Sequence, residues 1–282
     1  MKKHVRPLLV WFSLSLILSC ESVPPPEKNV LFVGNSLTYF HDMPTMLQQM
    51  LNVAHPHIKI EQITFPGAQF HTHMSYFVES QTDNGAHSRR KHEGGYTLTE
   101  VKLAEKAWDI VILQTGGSGV MVPEFREKKV LPPILRMKEL VPNADCQFLL
   151  FQTWPSVTEY PRQICYSSSV IDLSPPPQKF CSETIPDMPT AAQLLQLAYE
   201  TTSKAAELEL TRHGELFYQV HTHYPDIKLY DDAFHPSPYG AYLNASIFYR
   251  MLTTAAIPEV VSPDTLEEDL CRKIREIVDS MD

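Results

Sequence analysis

The stretch NVLFVGNSLT, from Asn29 to Thr38, indicates the fold more clearly than any other part of the chain. Its first five residues form a short and almost wholly apolar run, which is typical of a strand buried on both faces. The turn residues Gly34 to Ser36 close this run, and Met43 to Val53 then carries apolar residues at helical spacing. A buried strand followed by a tight turn and an amphipathic helix predicts one unit of a parallel α/β sheet.

Strand and helix patterns alternate along the rest of the chain. The further predicted strands span Ile58 to Ile63, Asp109 to Gln114, Phe148 to Phe151 and, more weakly, Leu208 to Leu210. The later predicted helices span Leu194 to Leu208, Pro238 to Leu252 and Thr265 to Val278. Such alternation favours βαβ units with right-handed crossovers. The sequence therefore predicts an α/β protein, a three-layer α/β/α sandwich with a mostly parallel five-stranded sheet that binds ligands at the carboxyl ends of its strands.

Two stretches fit this scheme poorly. Residues 70–100 are rich in His, Ser, Asn and Gly, whereas residues 155–187 are rich in Pro and Ser. Because both follow predicted strand ends, we interpret them as insertions that overhang the ligand-binding edge. Residues 29–282 are predicted to form a single domain that includes both insertions.

The charge balance argues against a nucleic-acid partner. The 282 residues include 24 Lys and Arg against 33 Asp and Glu, a formal net charge of −9. No basic stripe is present that could neutralise a row of phosphates.

The first twenty residues have the pattern of an export signal. Basic residues precede the apolar run Leu8 to Leu18, which is too short to span a bilayer but suits a signal peptide. The end of the segment, Ile17 to Cys20, resembles the lipobox of bacterial lipoproteins. This resemblance implies a signal peptide over 1–19, a lipidated Cys20, a proline-rich tether over 20–28, and a membrane-anchored protein of the bacterial cell envelope. In the alternative, an ordinary signal peptide or an uncleaved anchor, Cys20 is incidental.

Cysteine use fits an exported protein. Apart from Cys20, four cysteines remain, an even number in a compartment that permits disulfides. We favour a disulfide between Cys165 and Cys181 because both lie in one proline-rich insertion. Alternatively, Cys146 and Cys271 are small buried apolar residues.

Ser36 is a candidate nucleophile. It follows a buried strand and a glycine, so it can face the ligand-binding edge at the start of a helix. The alternative is a generic helix cap, because Asn and Ser both satisfy the free amides at a helix start.

A second candidate motif lies about two hundred residues later, in LYDDAFHPS. A hydroxyl nucleophile needs a general base, usually histidine, and the imidazole needs a carboxylate to fix its tautomer. Asp232 precedes His235 by three residues, so one turn of chain can bring both to the same side. Asp231 is the less favoured partner, and the alternative for the whole motif is an exposed acidic loop.

Together, the strand-GNS-helix block and the D-x-x-H block resemble the first and last blocks of the SGNH (GDSL-like) hydrolases. The stretches GNSLT, FLLFQTWP and LYDDAFHPSPYGAYLNASIFY look most like an exported bacterial subgroup of that family. The resemblance implies a flavodoxin-like fold, Ser36 as nucleophile, and Asp232 and His235 as its acid and base. Gly67 matches the glycine whose backbone N–H, with that of Ser36, helps to form the oxyanion hole.

One block departs from the family pattern. The third block normally supplies an oxyanion-hole asparagine in a G-x-N-D setting, but here the strand ends in LQTGG. Gln114 stands at the matching place, and its carboxamide could donate the same hydrogen bond. The alternative is that Gln114 only hydrogen-bonds loop backbone.

The remaining polar and aromatic signals are weaker. His55 with His57, His71 with His73, and His221 with His223 form alternating pairs, but none has the further ligands that a zinc site needs. We therefore predict no metal, and we expect His71 and His73 to line the substrate crevice. Trp154 is either a sugar-stacking platform or part of the core.

The predicted function is hydrolysis of a carboxylic ester without metal, nucleotide or other cofactor. The first candidate substrates are O-acetylated carbohydrates or other small O-acyl compounds, and lipids or short-chain esters are the nearest rivals. A binding lipoprotein on an SGNH scaffold is the alternative outside enzymes, and a metal-dependent phosphodiesterase is a third.

Overall fold

The computed structural model describes residues 25–82, 85–172, 178–259 and 266–280. The predicted signal peptide, Cys20 and the first part of the tether lie outside the described residues. Within the described ranges, no helix is both long and apolar enough to cross a lipid bilayer.

The strands of the described ranges are β1 (Lys28–Gly34), β2 (Ile58–Thr64), β3 (Tyr76–Thr82), β4 (Gly85–Arg90), β5 (Ile110–Gln114), β6 (Gln147–Phe151), β7 (Cys165–Ser167), β8 (Lys179–Cys181) and β9 (Glu209–Leu210). The α-helices are α1 (Ser36–Tyr39), α2 (Met43–Ala54), α3 (Phe70–Ser75), α4 (Leu98–Ala104), α5 (Gly117–Met121), α6 (Pro123–Phe125), α7 (Leu131–Leu140), α8 (Ser168–Ile171), α9 (Met188–Ala206), α10 (His213–His223), α11 (Pro238–Thr253) and α12 (Glu268–Asp279). A 3₁₀ turn over Phe40–Asp42 links α1 to α2, and a π-helical turn over Arg126–Val130 links α6 to α7.

The main sheet has five strands in the order β2-β1-β5-β6-β9. Every neighbouring pair in it is parallel. Helices cover both faces of this sheet, so the predicted three-layer α/β/α architecture is confirmed.

Strand β1 shows why a continuous apolar run suits this position. Successive side chains of a strand point to opposite faces. Val30 and Phe32 accordingly pack in one core layer, against α2, α10, α11 and α12. Leu31 and Val33 pack in the other layer, which includes residues of α3, α4, α5, α7 and α9. Since both faces are buried, neither set of positions can be polar.

The two atypical stretches form small antiparallel sheets outside the main one. In the first stretch, β3 pairs with β4 in an antiparallel manner, and the last four residues of each strand are exposed. In the second, β7 pairs with β8, and a disulfide joins Cys165 to Cys181 across this pair. These are the two cysteines that the sequence favours as partners. Cys146 is a free and partly buried thiol, and Cys271 is fully buried in the core.

The start of α10 packs directly against the backbone of the loop after β6. A Cβ atom on Gly214 would lie 2.1 Å from the carbonyl oxygen of Thr153. Only a residue without a side chain lets the helix approach the backbone of this loop so closely.

We therefore predict that Gly214→Ala destabilises the protein. In an open helix the change would stabilise by about 1 kcal/mol, but a clash with backbone cannot be relieved by a rotamer change and should cost about 1–3 kcal/mol net. Urea unfolding would measure this free energy. Gly116→Ala is the matched control, since its Cβ would meet nothing closer than 3.8 Å. Equal stabilities of the two variants would contradict the packing argument.

Candidate active site

Ser36 lies directly after β1, in a turn that its neighbour Asn35 fixes. The Asn35 side chain accepts a hydrogen bond from the backbone N–H of Leu37 at 3.0 Å. Its amide group donates to the carbonyl oxygen of Ala68 at 2.8 Å. Asn35 thus ties the turn after β1 to the turn after β2, and Ser36 is left at the surface of the cavity between them.

Gln114 stands behind this turn. Its Oε1 accepts hydrogen bonds from the Asn35 backbone N–H at 2.8 Å and from the Thr38 hydroxyl at 2.9 Å. The side chain is fully buried and is not among the residues that line the cavity. The Oε1 contact with the Asn35 N–H matches the alternative, in which the glutamine hydrogen-bonds loop backbone. The Nε2 group has no hydrogen-bond partner among the described residues, so its donation to an oxyanion stays a prediction.

His235 and Asp232 come together with Ser36 in one chain of hydrogen bonds. His235 Nε2 lies 2.8 Å from Ser36 Oγ, and His235 Nδ1 lies 2.7 Å from Asp232 Oδ2. The other carboxylate oxygen, Oδ1, accepts from the backbone N–H groups of Phe234 and His235, each at 2.8 Å. With Nδ1–H donating to the carboxylate, Nε2 is free to accept the serine proton.

The carboxylate of this chain is held in its ionised form. Burial by itself would raise the pKa of Asp232, but the hydrogen bonds from His235 and from two backbone N–H groups outweigh it and lower the pKa. An ionised Asp232 can fix the imidazole tautomer and stabilise a positively charged ring.

The loop that carries His235 is fastened to the loop after β6. Trp154 Nε1 donates to the carbonyl oxygen of Phe234 at 3.0 Å, and the Ser156 hydroxyl donates to that of Ala233 at 2.7 Å. In return, the Tyr230 hydroxyl donates to the carbonyl oxygen of Pro155 at 2.7 Å. Two loops that are far apart in sequence therefore hold each other in place beside Ser36.

A second layer of contacts around His235 is not visible in the sequence pattern. The Phe40 ring stacks on the His235 imidazole, with ring centroids 4.0 Å apart and planes within 2°. Asp231, the less favoured carboxylate, instead lies 2.6 Å from Nε2 of His41. His41 and Asp42 both adopt left-handed backbone angles, which a non-glycine residue adopts at some energetic cost. The only sequence feature that pointed to a role for Phe40 was its position four residues after Ser36.

The cavity over Ser36 has a volume of about 450 Å³. Gly67, in the turn after β2, lies in its wall and has a left-handed conformation that suits glycine. Much of the remaining wall is apolar, with Met121, Ile164 and Leu195 among its members. The stretch 155–187 contributes wall residues as expected, whereas none of the described residues of 70–100 lines the cavity.

His71 and His73 do not line the cavity, in contrast to expectation. His73 is buried; its Nδ1 lies 2.8 Å from the Thr99 hydroxyl, and its Nε2 lies 3.0 Å from the carbonyl oxygen of Gly34. Since a carbonyl oxygen only accepts, Nε2 carries a proton; in the neutral ring Nδ1 then accepts from Thr99. Burial lowers the pKa of His73 to about 4. This histidine supports the end of β1 from behind.

Trp154 is a core residue that also forms part of the cavity wall. Its ring stacks on Phe217 at a centroid distance of 3.9 Å and is 5% exposed. A ring whose face is already covered in this way is a poor platform for a sugar.

Among the described residues, no group of three or more His, Cys, Asp or Glu side chains is arranged to hold a metal ion. His55 and His57 lie near each other, with ring centroids 6.0 Å apart, but no third ligand joins them.

Solved structures share this architecture. The chain is similar to a DUF4886 family protein from Bacteroides uniformis, with a TM-score of 0.64 and 14% identity over 90% of this chain and 93% of that one. It is also similar to a candidate SGNH hydrolase from Slackia heliotrinireducens, with a TM-score of 0.53 and 21% identity over 80% and 99% of the two chains. A candidate GDSL-like lipase from Parabacteroides merdae gives a TM-score of 0.50 and 13% identity over 81% and 96%.

At these identities the likeness shows the fold alone, which the chain shares with these three proteins. No protein-family model matches the chain, and no curated protein is similar to it in sequence.

The buried neutral His73 predicts a pH-dependent stability. In the unfolded chain a histidine binds a proton below about pH 6.5, whereas folded His73 does so only below about pH 4. Between these values the unfolded state binds more protons, so stability falls as pH falls. This loss should amount to about 2 kcal/mol by pH 4.5 and should be absent in His73→Gln.

Urea unfolding of both proteins at pH 7 and pH 4.5 would measure the difference. The exposed His223, replaced by Gln in the same way, controls for loss of a histidine. A His73→Gln variant with the full wild-type pH dependence would rule out His73 as its source.

Proposed function

We propose that the protein is a serine esterase that hydrolyses carboxylic esters through an acyl-enzyme. The observation that carries this proposal is the continuous chain from Ser36 Oγ through His235 to Asp232, with links of 2.8 and 2.7 Å, which begins at a serine in the wall of a cavity. A serine is a weak nucleophile until an adjacent base accepts its proton, and this arrangement supplies that base together with the group that orients it.

In the first step Ser36 Oγ attacks the ester carbonyl carbon while its proton passes to His235 Nε2. The resulting tetrahedral oxyanion collapses, the bond to the leaving alcohol breaks, and Nε2 gives its proton to the departing oxygen. Water then attacks the acyl-serine through the same base and releases the acid. Asp232 stays ionised throughout and stabilises the charged imidazole.

The developing oxyanion needs donors that are already in position. The backbone N–H groups of Ser36 and Gly67 serve this role in the proposal, because both residues lie at the cavity. Gln114 contributes through its Oε1, which accepts hydrogen bonds from the Asn35 N–H and the Thr38 hydroxyl and so positions the residues on either side of Ser36. A Cβ on Gly34 would lie 2.6 Å from Gln114 Oε1, so glycine is needed there for this contact.

Small O-acyl compounds, acetylated carbohydrates among them, are the first candidate substrates. Short-chain and lipid esters are the second, and the apolar wall formed in part by Met121, Ile164 and Leu195 favours them.

The test of catalysis is hydrolysis of p-nitrophenyl acetate, butyrate and octanoate by the full-length protein and by Ser36→Ala. We expect turnover to fall by at least about 10³-fold in the variant, because the nucleophile is lost. Ser88→Ala, an exposed position on β4, is the control. If folded wild-type protein has no more activity than Ser36→Ala on any ester, a binding protein becomes the better interpretation. Activity lost on treatment with a chelator would favour the metal-dependent alternative.

We further propose that the protein is an exported lipoprotein of the bacterial cell envelope, which rests on residues 1–20 of the sequence alone. Full-length protein should sediment with membranes of the bacteria that express it, and Cys20→Ala should shift it to the soluble fraction because the lipid is its anchor. Labelling with a radioactive fatty acid reports the modification itself. An unlabelled wild-type protein would contradict the proposal.

A further inference from the structure

Arg162 is a charged residue in the wall of the cavity that contains Ser36. The other wall residues in the described part of the chain are uncharged, and many are apolar. The chain carries a formal net charge of −9, so its overall field disfavours anions. A single guanidinium group in this wall reverses that preference locally.

The surroundings of Arg162 differ from those of most arginines in this protein. Six arginines form ion pairs with Asp or Glu in the described ranges, namely Arg89, Arg136, Arg212, Arg250, Arg272 and Arg275. Arg162 instead donates from Nη1 to the neutral hydroxyl of Thr158 at 2.5 Å. Although acidic residues outnumber basic ones, no carboxylate of the described ranges lies within ion-pair distance of this guanidinium.

The nitrogens that Thr158 leaves unoccupied are suited to a carboxylate. Nε and Nη2 of an arginine form one planar edge with two parallel N–H groups, which match the two oxygens of a carboxylate. The same edge is used elsewhere in this molecule: Arg212 donates from Nε and Nη2 to the two carboxylate oxygens of Glu215, each at 3.0 Å.

The backbone presents Arg162 in a fixed place. Its N–H donates to the carbonyl oxygen of Ile185 at 2.9 Å, and Ile185 N–H donates back at 2.8 Å. Three residues further on, the disulfide from Cys165 to Cys181 joins the same two chain segments. A donor edge that is already positioned loses little conformational freedom when it binds a ligand.

We propose that the ester hydrolysed at Ser36 carries a carboxylate group, which Arg162 binds through Nε and Nη2. This inference rests on the proposed esterase function. The carboxylate belongs either to the alcohol part of the ester, as in an acidic sugar, or to the acid part, as in the half-ester of a dicarboxylic acid.

Two matched pairs of esters separate these arrangements. For the alcohol part, the pair is 4-acetoxybenzoate and 4-acetoxybenzamide; for the acid part, it is monomethyl adipate and the corresponding methyl ester amide. In one pair we expect wild-type kcat/KM to favour the carboxylate by about 10-fold or more, as charge-assisted hydrogen bonds allow. Arg162→Gln should reduce that ratio to about one, and Arg162→Lys, which keeps the charge but not the planar edge, should retain part of it.

Arg136→Gln is the matched control, since Arg136 is an exposed arginine of α7 paired with Glu139 outside the cavity. It should keep the wild-type ratio in both pairs. A ratio of about one for wild type in both pairs, or a preference that survives in Arg162→Gln, would overturn the inference.

The same experiment separates failure of the inference from failure of the proposed function. If the ester bonds of the neutral, amide-bearing compounds are hydrolysed in a Ser36-dependent manner but the carboxylate-bearing esters are not preferred, the esterase function is supported and the carboxylate site is refuted. If no ester is hydrolysed, the site is judged by calorimetry with 4-hydroxybenzoate, 4-hydroxybenzamide and adipate. Tighter binding of either carboxylate by wild type than by Arg162→Gln would support it, and equal binding would refute it.

Discussion

The position of Ser36 depends on the hydrogen bonds that Asn35 makes at the carboxyl end of β1. The backbone N–H of Asn35 bonds to Gln114 on β5, and its side-chain amide bonds to Ala68 after β2. Because β1 lies between β2 and β5 in the sheet, one residue joins the ends of three adjacent strands. The proposed nucleophile is thereby attached to the central strands of the sheet, as a precisely positioned site requires.

The other half of the site gains its rigidity from loop-to-loop contacts. The residues from Asp232 to His235 lie in a loop without regular structure, yet Trp154 and Ser156 bond to its carbonyl groups. The Phe40 ring covers one face of the imidazole. These contacts restrict the orientation of the ring, so that Nε2 points at Ser36 and Nδ1 at Asp232 before any substrate arrives. Reduced reorganisation of this kind is a large part of what an enzyme site contributes to rate.

The segment from Arg162 to Ile185, which the Cys165–Cys181 disulfide cross-links, forms part of the cavity wall. It places Ile164 and Ile185 beside the apolar residues of α5 and α9, and it places Arg162 among them. An apolar wall with one fixed cation distinguishes ligands by charge as well as by size, because a ligand that buries its apolar part but lacks a counter-charge leaves the cation without compensation. Substrate choice would then reside in this segment, whereas the groups proposed to break the ester bond lie at the end of β1 and on the loop before α11.

Sequence patterns alone predicted the five strands of the main sheet and the helices α2, α9, α11 and α12, because apolar runs with periods of 2.0 and 3.6 residues are local properties of the chain. Short motifs of characteristic spacing also identified Ser36, Asp232 and His235 as candidates, and the structure brings these three side chains together. The surroundings of these residues became clear only in the folded protein: Gln114 Oε1 bonds to loop backbone, His73 bonds to Gly34 from the core, and Arg162 lies in the wall of the cavity. Each of these contacts links residues 39 or more positions apart or depends on the packing of whole segments. The direction of a side chain there is set by neighbours that no local pattern specifies.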